Sequence, residues 1–252
     1  MNTASFRQWF SDRLASVQLL VHNRGDVAIP DAEIILCCAH SALAAQRWPG
    51  KGIDRARFVQ LLVDFANPSF AVNSVSTPIL AARLRLTGNT DDALRLQAAF
   101  FPGPDLAVLL GPNVDRPEHD VLELLPRLER KFVRAQSYAA LIYTGLRSQL
   151  VHEYSLSALL SSFSHSEELT VPTYTNMSLD PTPRQMADLI EELRASETLI
   201  RSWSATPIRK LHFPLSYIRE VIASAAAQGF ESWDQSSDWE IPRPRPWWID
   251  DP

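Results

Sequence analysis

A chain of 252 residues, 46% hydrophobic and 21% charged, is long enough to bury its own core and too apolar for wholesale disorder. Its formal net charge of −5 excludes a surface that coats nucleic acid nonspecifically, which is strongly basic, while leaving room for a local basic groove. The two cysteines, adjacent at Cys37 and Cys38, exclude a disulfide framework or a cysteine zinc site. They read as two small buried apolar side chains of a cytoplasmic protein.

The N-terminus lacks the apolar core and cleavage signature of a signal segment. The longest apolar stretch, Ile34 to Ala45, contains His40 and Ser41 and is shorter than a bilayer span. No membrane association is therefore expected. Most of the chain has helical period. Ser5 to His22 places Phe6, Trp9, Phe10, Leu14, Val17 and Val21 on one side. Pro30 and Asp31 open a second helix, with Asp31 as N-cap, that stops at Trp48-Pro49-Gly50. Asp54 starts a third, which Asn67-Pro68 closes. Thr77 to Leu86 and the stretch from Thr90 to Phe101 predict two more, and a Pro/Gly-rich loop follows from Pro102 to Pro117.

The longest helical stretch runs from Asp120 or Pro126 to about Glu153. Beyond Tyr154 the pattern changes. Glu168 to Met177 reads as a strand, an edge one given Pro172, and Ile208 to Phe213 as a second strand that can pair with it. A helix over 184–203, another from Pro214 to Ala226 ended by Gly229, and a Pro/Trp-rich tail over 234–252 complete the chain. The expectation is a mainly α protein with a small two-stranded β element in its C-terminal third. It divides into a helical domain, 1–154, and an extension, 155–252, packed on it.

The motifs of common chemistries are missing: no glycine-rich phosphate loop, no Gly-x-Ser-x-Gly elbow and no His-x-x-x-His. The six histidines are scattered, so neither a metal nor a cofactor is expected. His40 and His212, on apolar elements, read as core histidines. What remains is Tyr138 to Ser155, YAALIYTGLRSQLVHEYS. At 100° per residue, Phe132, Ala135, Ala139, Ile142, Leu146 and Leu150 form a core-facing stripe. The opposite side carries Arg130, Arg134, Leu141, Thr144, Gly145, Ser148 and His152. Arg147 lies between the two faces, within reach of the His152 imidazole. A guanidinium and an imidazole then flank a surface of small residues suited to close contact.

This segment resembles the active-site helix of the HEPN superfamily, helical domains found in prokaryotic RNases and defence proteins. Their Arg-x(4–6)-His signature is matched by Arg147 and His152, and Arg-Ser-x-x-x-His-Glu-Tyr resembles an uncharacterised bacterial branch. Ser148 stands where Asn, Asp or His is usual. The resemblance implies a HEPN-like helical bundle and a metal-independent endoribonuclease that cuts single-stranded RNA through the 2′-hydroxyl. Arg147 would hold the phosphate, His152 would transfer protons and Ser148 would orient His152. It also implies a homodimer through Leu141, Thr144 and Gly145, an RNA path along Arg130 and Arg134, and a regulatory protein partner in a defence or toxin-like system. The alternative is a non-catalytic dimerisation or interaction module, in which an Arg and a His at a helix C-terminus only stabilise its dipole.

Overall fold

The computed structural model describes residues 3–102, 108–153, 160–163, 171–176 and 209–235. The expected helix over 184–203 and the Pro/Trp-rich tail beyond 235 lie outside the described residues. Helix α1 (Thr3–Arg24) passes through a short 3₁₀ turn, Gly25–Ala28, into α2 (Ile29–Arg47). Pro30 occupies the first turn of α2, where its missing N–H costs nothing. Asp31 is not the cap: the N-cap is Ala28, and the Asp31 carboxylate lies 3.3 Å from Arg24 instead.

By length and composition the Thr3–Arg47 segment contains one run apolar enough to cross a bilayer, and that run lies mainly on α2. In this fold 56% of its most apolar window is buried. Cys37 is buried in α2, but Cys38 is exposed, so only one of the pair is a core residue.

Helix α3 (Asp54–Phe65), α4 (Thr77–Leu86) and α5 (Thr90–Phe100) follow. Ser76 caps α4 by accepting the Ile79 N–H at 3.3 Å. The expected loop after Pro102 contains strand β1 (Val108–Leu110) and a one-turn helix, α6 (Gly111–Val114). The expected long helix is three pieces: α7 (Glu118–Leu124), α8 (Arg130–Arg134) and a final helix from Tyr138 to Glu153.

The interruption has a visible cause. Backbone between 136 and 139 bonds to the extended segment 72–76: Ser76 N–H donates to Gln136 O at 2.9 Å, Tyr138 N–H to Ser74 O at 3.1 Å and Ala139 N–H to Val72 O at 2.8 Å. These groups cannot also serve one continuous helix. Arg130 and His152 therefore do not share a helix face.

Strands β2 (Leu160–Phe163), β3 (Thr173–Asn176) and β4 (Arg209–Pro214) join β1 in a sheet of order β1-β3-β4-β2. The expected pair is present: β3 and β4 run antiparallel, with Thr173 opposite His212 and Tyr174 opposite Leu211. The sheet has four strands rather than two, and β2 lies parallel to β4. Strand β3 is interior, not an edge. Pro172 precedes it, and the Pro172 carbonyl accepts the Gly111 N–H at 2.7 Å, so no ladder bond is lost.

Because β1 comes from before residue 154, the sheet spans the expected domain boundary. Helix α11 (Leu215–Gln235) packs on α2 and α3. It runs through Gly229, where a β-carbon would make only an ordinary van der Waals contact with Leu61. Phe230 meets Phe6 and Phe10 edge-on, each at 6.0 Å, so the first and last described helices share one core. The protein is mainly α with a small mixed sheet.

Candidate functional site

The final helix opens as α9 (Tyr138–Leu141), with Ser137 accepting the Ala140 N–H at 3.3 Å as its cap. From Ile142 to Arg147 it widens into π-helical pitch: the Ser148 N–H bonds back five residues to Tyr143 O. It then closes as α10 (Ser148–Glu153). A π segment changes where side chains emerge, so a wheel drawn at 100° per residue misplaces the residues beyond it, and such segments are frequent at functional sites.

Here it carries Arg147, whose guanidinium is held by three groups. Its Nε donates to Ser41 Oγ on α2 at 3.4 Å. Its Cζ lies 5.3 Å from the ring centre of Tyr143, and Tyr143 is in turn braced edge-on by Phe58 at 5.2 Å. Its Nη1 lies 3.4 Å from His152 Nε2. A guanidinium can only donate, so this last bond requires the imidazole tautomer with its proton on Nδ1. His152 is exposed and Arg147 half-buried. The arrangement presents a fixed planar cation and an accessible proton carrier to solvent.

The other expected site residues fall elsewhere. Ser148 makes no hydrogen bond to His152 among the described residues, although the two stand one turn apart on α10. Arg134 donates from Nε to Glu118 at 2.6 Å, and Arg130 lies 3.5 Å from the same carboxylate. The expected RNA path is thus engaged in an ion-pair triad between α7 and α8. The expected dimer face is internal. Leu141 and Gly145 are buried, the Thr144 hydroxyl donates to Ala140 O at 2.8 Å, and a β-carbon on Gly145 would land on the Leu160 side chain of the same chain. The close approach that Gly145 permits is made by β2, not by a second protomer.

His40 and His212 are core residues as expected. His40 Nε2 bonds Phe58 O at 3.0 Å, and burial pulls its pKa down to about 4. His212 bonds Thr175 Oγ1 at 2.6 Å inside the sheet. Cys37 is no nucleophile: burial, reinforced by the charges of Glu33 and Cys38, raises its thiol well above the ordinary range despite nearby Arg147. Among the described residues no three His, Cys, Asp or Glu side chains are grouped to hold a metal ion.

A second polar centre was not legible in the sequence. Asp115, buried after α6, accepts hydrogen bonds from Tyr138 on α9, from Tyr174 on β3 at 2.6 Å, and from the Thr77 N–H at the start of α4 at 3.0 Å. Burial pushes its pKa up to about 7, against the lowering effect of the tyrosine and backbone donors and of nearby Arg116. The residues are up to 98 positions apart, Ser76 included, and no local spacing announces them.

Comparisons with protein-family models, curated proteins and solved structures found no match to this chain.

Proposed function

We propose that the protein is a metal-independent endoribonuclease acting on single-stranded RNA, with Arg147 and His152 as its catalytic pair. The carrying observation is the 3.4 Å approach of the anchored Arg147 guanidinium to the exposed His152 imidazole. The RNA 2′-hydroxyl attacks the adjacent phosphorus, the bond to the 5′-oxygen breaks, and the products are a 2′,3′-cyclic phosphate and a 5′-hydroxyl. Arg147 offers two N–H groups to the phosphoryl oxygens, where negative charge grows in the transition state. Once phosphate engages the guanidinium, His152 Nε2 is released to accept the 2′-hydroxyl proton.

One imidazole serves one side of the phosphorus. A two-fold dimer that apposes the exposed ends of α10 supplies a second His152 to protonate the leaving oxygen. This replaces the Gly145 face, which is internal, as the expected contact. An unrestrained RNase would harm its host, so a regulatory protein partner in a defence or toxin-like system belongs to the proposal.

The test is cleavage of single-stranded RNA in EDTA by wild type and His152→Ala, with product ends mapped. The expected result is cyclic phosphate ends and a loss of about 10²–10⁴-fold in the variant, with an unchanged melting temperature. Cleavage that persists undiminished in His152→Ala overturns the assignment. A folded wild type that cuts no RNA, alone or in lysate from infected cells, favours the interaction module.

A further inference from the structure

Beside Asp115 lies a cavity of about 380 Å³, within the size range of small-ligand sites. Its walls come from the turn after α3, the start of α6, the residues before β3 and the first turns of α11. Phe70, Tyr138 and Tyr217 supply aromatic surface. Phe70 and Tyr217 meet edge to face at 5.9 Å, and the Tyr217 hydroxyl is tied to Phe70 O at 2.8 Å, so the aromatic wall is fixed.

The charged side chains lining the cavity are both acidic, Asp115 and Glu220. Asp115 is 7% exposed, and among the described residues no cation forms an ion pair with its carboxylate. The nearest in sequence, Arg116, is engaged elsewhere. Its guanidinium donates to the Asp115 and Asn113 carbonyls at 2.8 and 3.1 Å and lies over the Phe100 ring at 5.3 Å. Buried charges are ordinarily paired. Burial raises the Asp115 pKa to about 7, although its tyrosine and backbone donors and Arg116 act to lower it. A carboxylate has about four acceptor positions, and Tyr138, Tyr174 and Thr77 engage three, fixing the group and leaving Oδ1 able to accept one more donor.

We propose that this cavity binds a small organic cation, an ammonium or guanidinium carried on an apolar body, with its charge against Asp115 and its body against Phe70 and Tyr217. Aromatic faces attract cations through their quadrupole, and the anionic lining disfavours phosphates and carboxylates. Glu220 on α11, 3.7 Å from Arg219, adds a second carboxylate to the lining. The site is independent of Arg147 and His152.

The test uses the whole chain and two probes of one shape, phenethylammonium and neutral phenethyl alcohol, titrated by calorimetry and ligand-observed NMR. The cation is expected to bind about tenfold more tightly than the alcohol, and Glu220→Gln to weaken it a few-fold. Ser74→Phe, which fills the cavity from its rim, is expected to abolish binding while the circular dichroism spectrum is retained. Asp115→Asn is expected to lose at least about tenfold; should that variant not fold, the neutral probe and Ser74→Phe decide. Equal affinity for the two probes, undiminished binding by Ser74→Phe, or no saturation below about 10 mM overturns the proposal.

Discussion

Ser41 and Arg147, separated by 106 residues of sequence, meet at 3.4 Å where α2 crosses the π-helical segment. This contact holds the guanidinium from the side away from His152, so it sets where the cation stands without touching the group that carries protons. Ser41→Ala should lower kcat/KM for RNA about tenfold, the worth of one hydrogen bond to a charged group, and leave the melting temperature within about a degree. Arg147→Lys should lose far more, since an ammonium cannot keep the Ser41 contact and present two parallel donors as well. A Ser41→Ala enzyme as active as wild type would show that Tyr143 alone fixes Arg147.

Gly145 supplies a stability prediction. Its α-carbon is so close to Leu160 that even Ala should displace β2, at an overpacking cost of about 1–3 kcal/mol. Leu160→Ala should partly rescue Gly145→Ala, because the double variant restores room. Denaturant unfolding of both singles and the double measures this coupling. Additive costs would place the contact elsewhere.

The triad of Glu118, Arg130 and Arg134 gives a third. Both partners of the Arg134–Glu118 pair are largely covered, at 15% and 17% side-chain exposure, so removing one leaves the other poorly solvated. Arg134→Gln should destabilise the fold by about 1–3 kcal/mol. It should leave the salt dependence of RNA binding unchanged, because an arginine already held by Glu118 releases no counterion from RNA. A reduced salt slope in Arg134→Gln would restore the basic path expected from sequence.

Asp115 and His40 should make opposite contributions to the pH dependence of stability. Asp115 binds its proton more tightly folded, at about 7, than at its ordinary 3.8. Its contribution is full below 3.8 and is lost as pH rises through about 7. His40 binds its proton less tightly folded, at about 4 against 6.5. Its contribution is full above 6.5 and is lost as pH falls through about 4. Each tenfold change in proton affinity is worth about 1.4 kcal/mol, so between roughly pH 4 and 6.5 the two slopes oppose one another. Asp115→Asn should expose the His40 slope, with stability falling steeply on acidification, and His40→Gln should expose the reverse. Denaturation midpoints measured from pH 4 to 8 check both signs; parallel curves for the two variants would refute the assignment.

These features differ in how legible they are from sequence, and for physical reasons. Helices α3, α4 and α5 are written locally, by Asp54, by Ser76 and Pro78, and by Thr90 with an apolar repeat behind each. The break before Tyr138 is not, because Phe132, Ala135 and Ala139 keep helical period across it. What breaks the helix is backbone pairing with residues sixty or more positions earlier. The proximity of Arg147 and His152 was readable as spacing plus side-chain length. The misplacement of Gly145 comes from β2, whose Leu160 packs on it from beyond the helix, a contact that no apolar repeat reveals. Strand β1 is three residues long, and its partner β3 lies beyond four more helical segments and β2, so neither half signals the pairing.

The packing of α11 against α2 and α3 also has a meaning in time. Phe230 completes a core that Phe6 and Phe10 begin, so the aromatic centre cannot close until residue 230 has left the ribosome. Contacts of such long sequence separation form late in folding. Ser41 and Arg147, which lie on the elements that this closure steadies, are brought into register only after α11 has been made. A nascent or truncated chain thus carries the arginine and histidine without the frame that aims them.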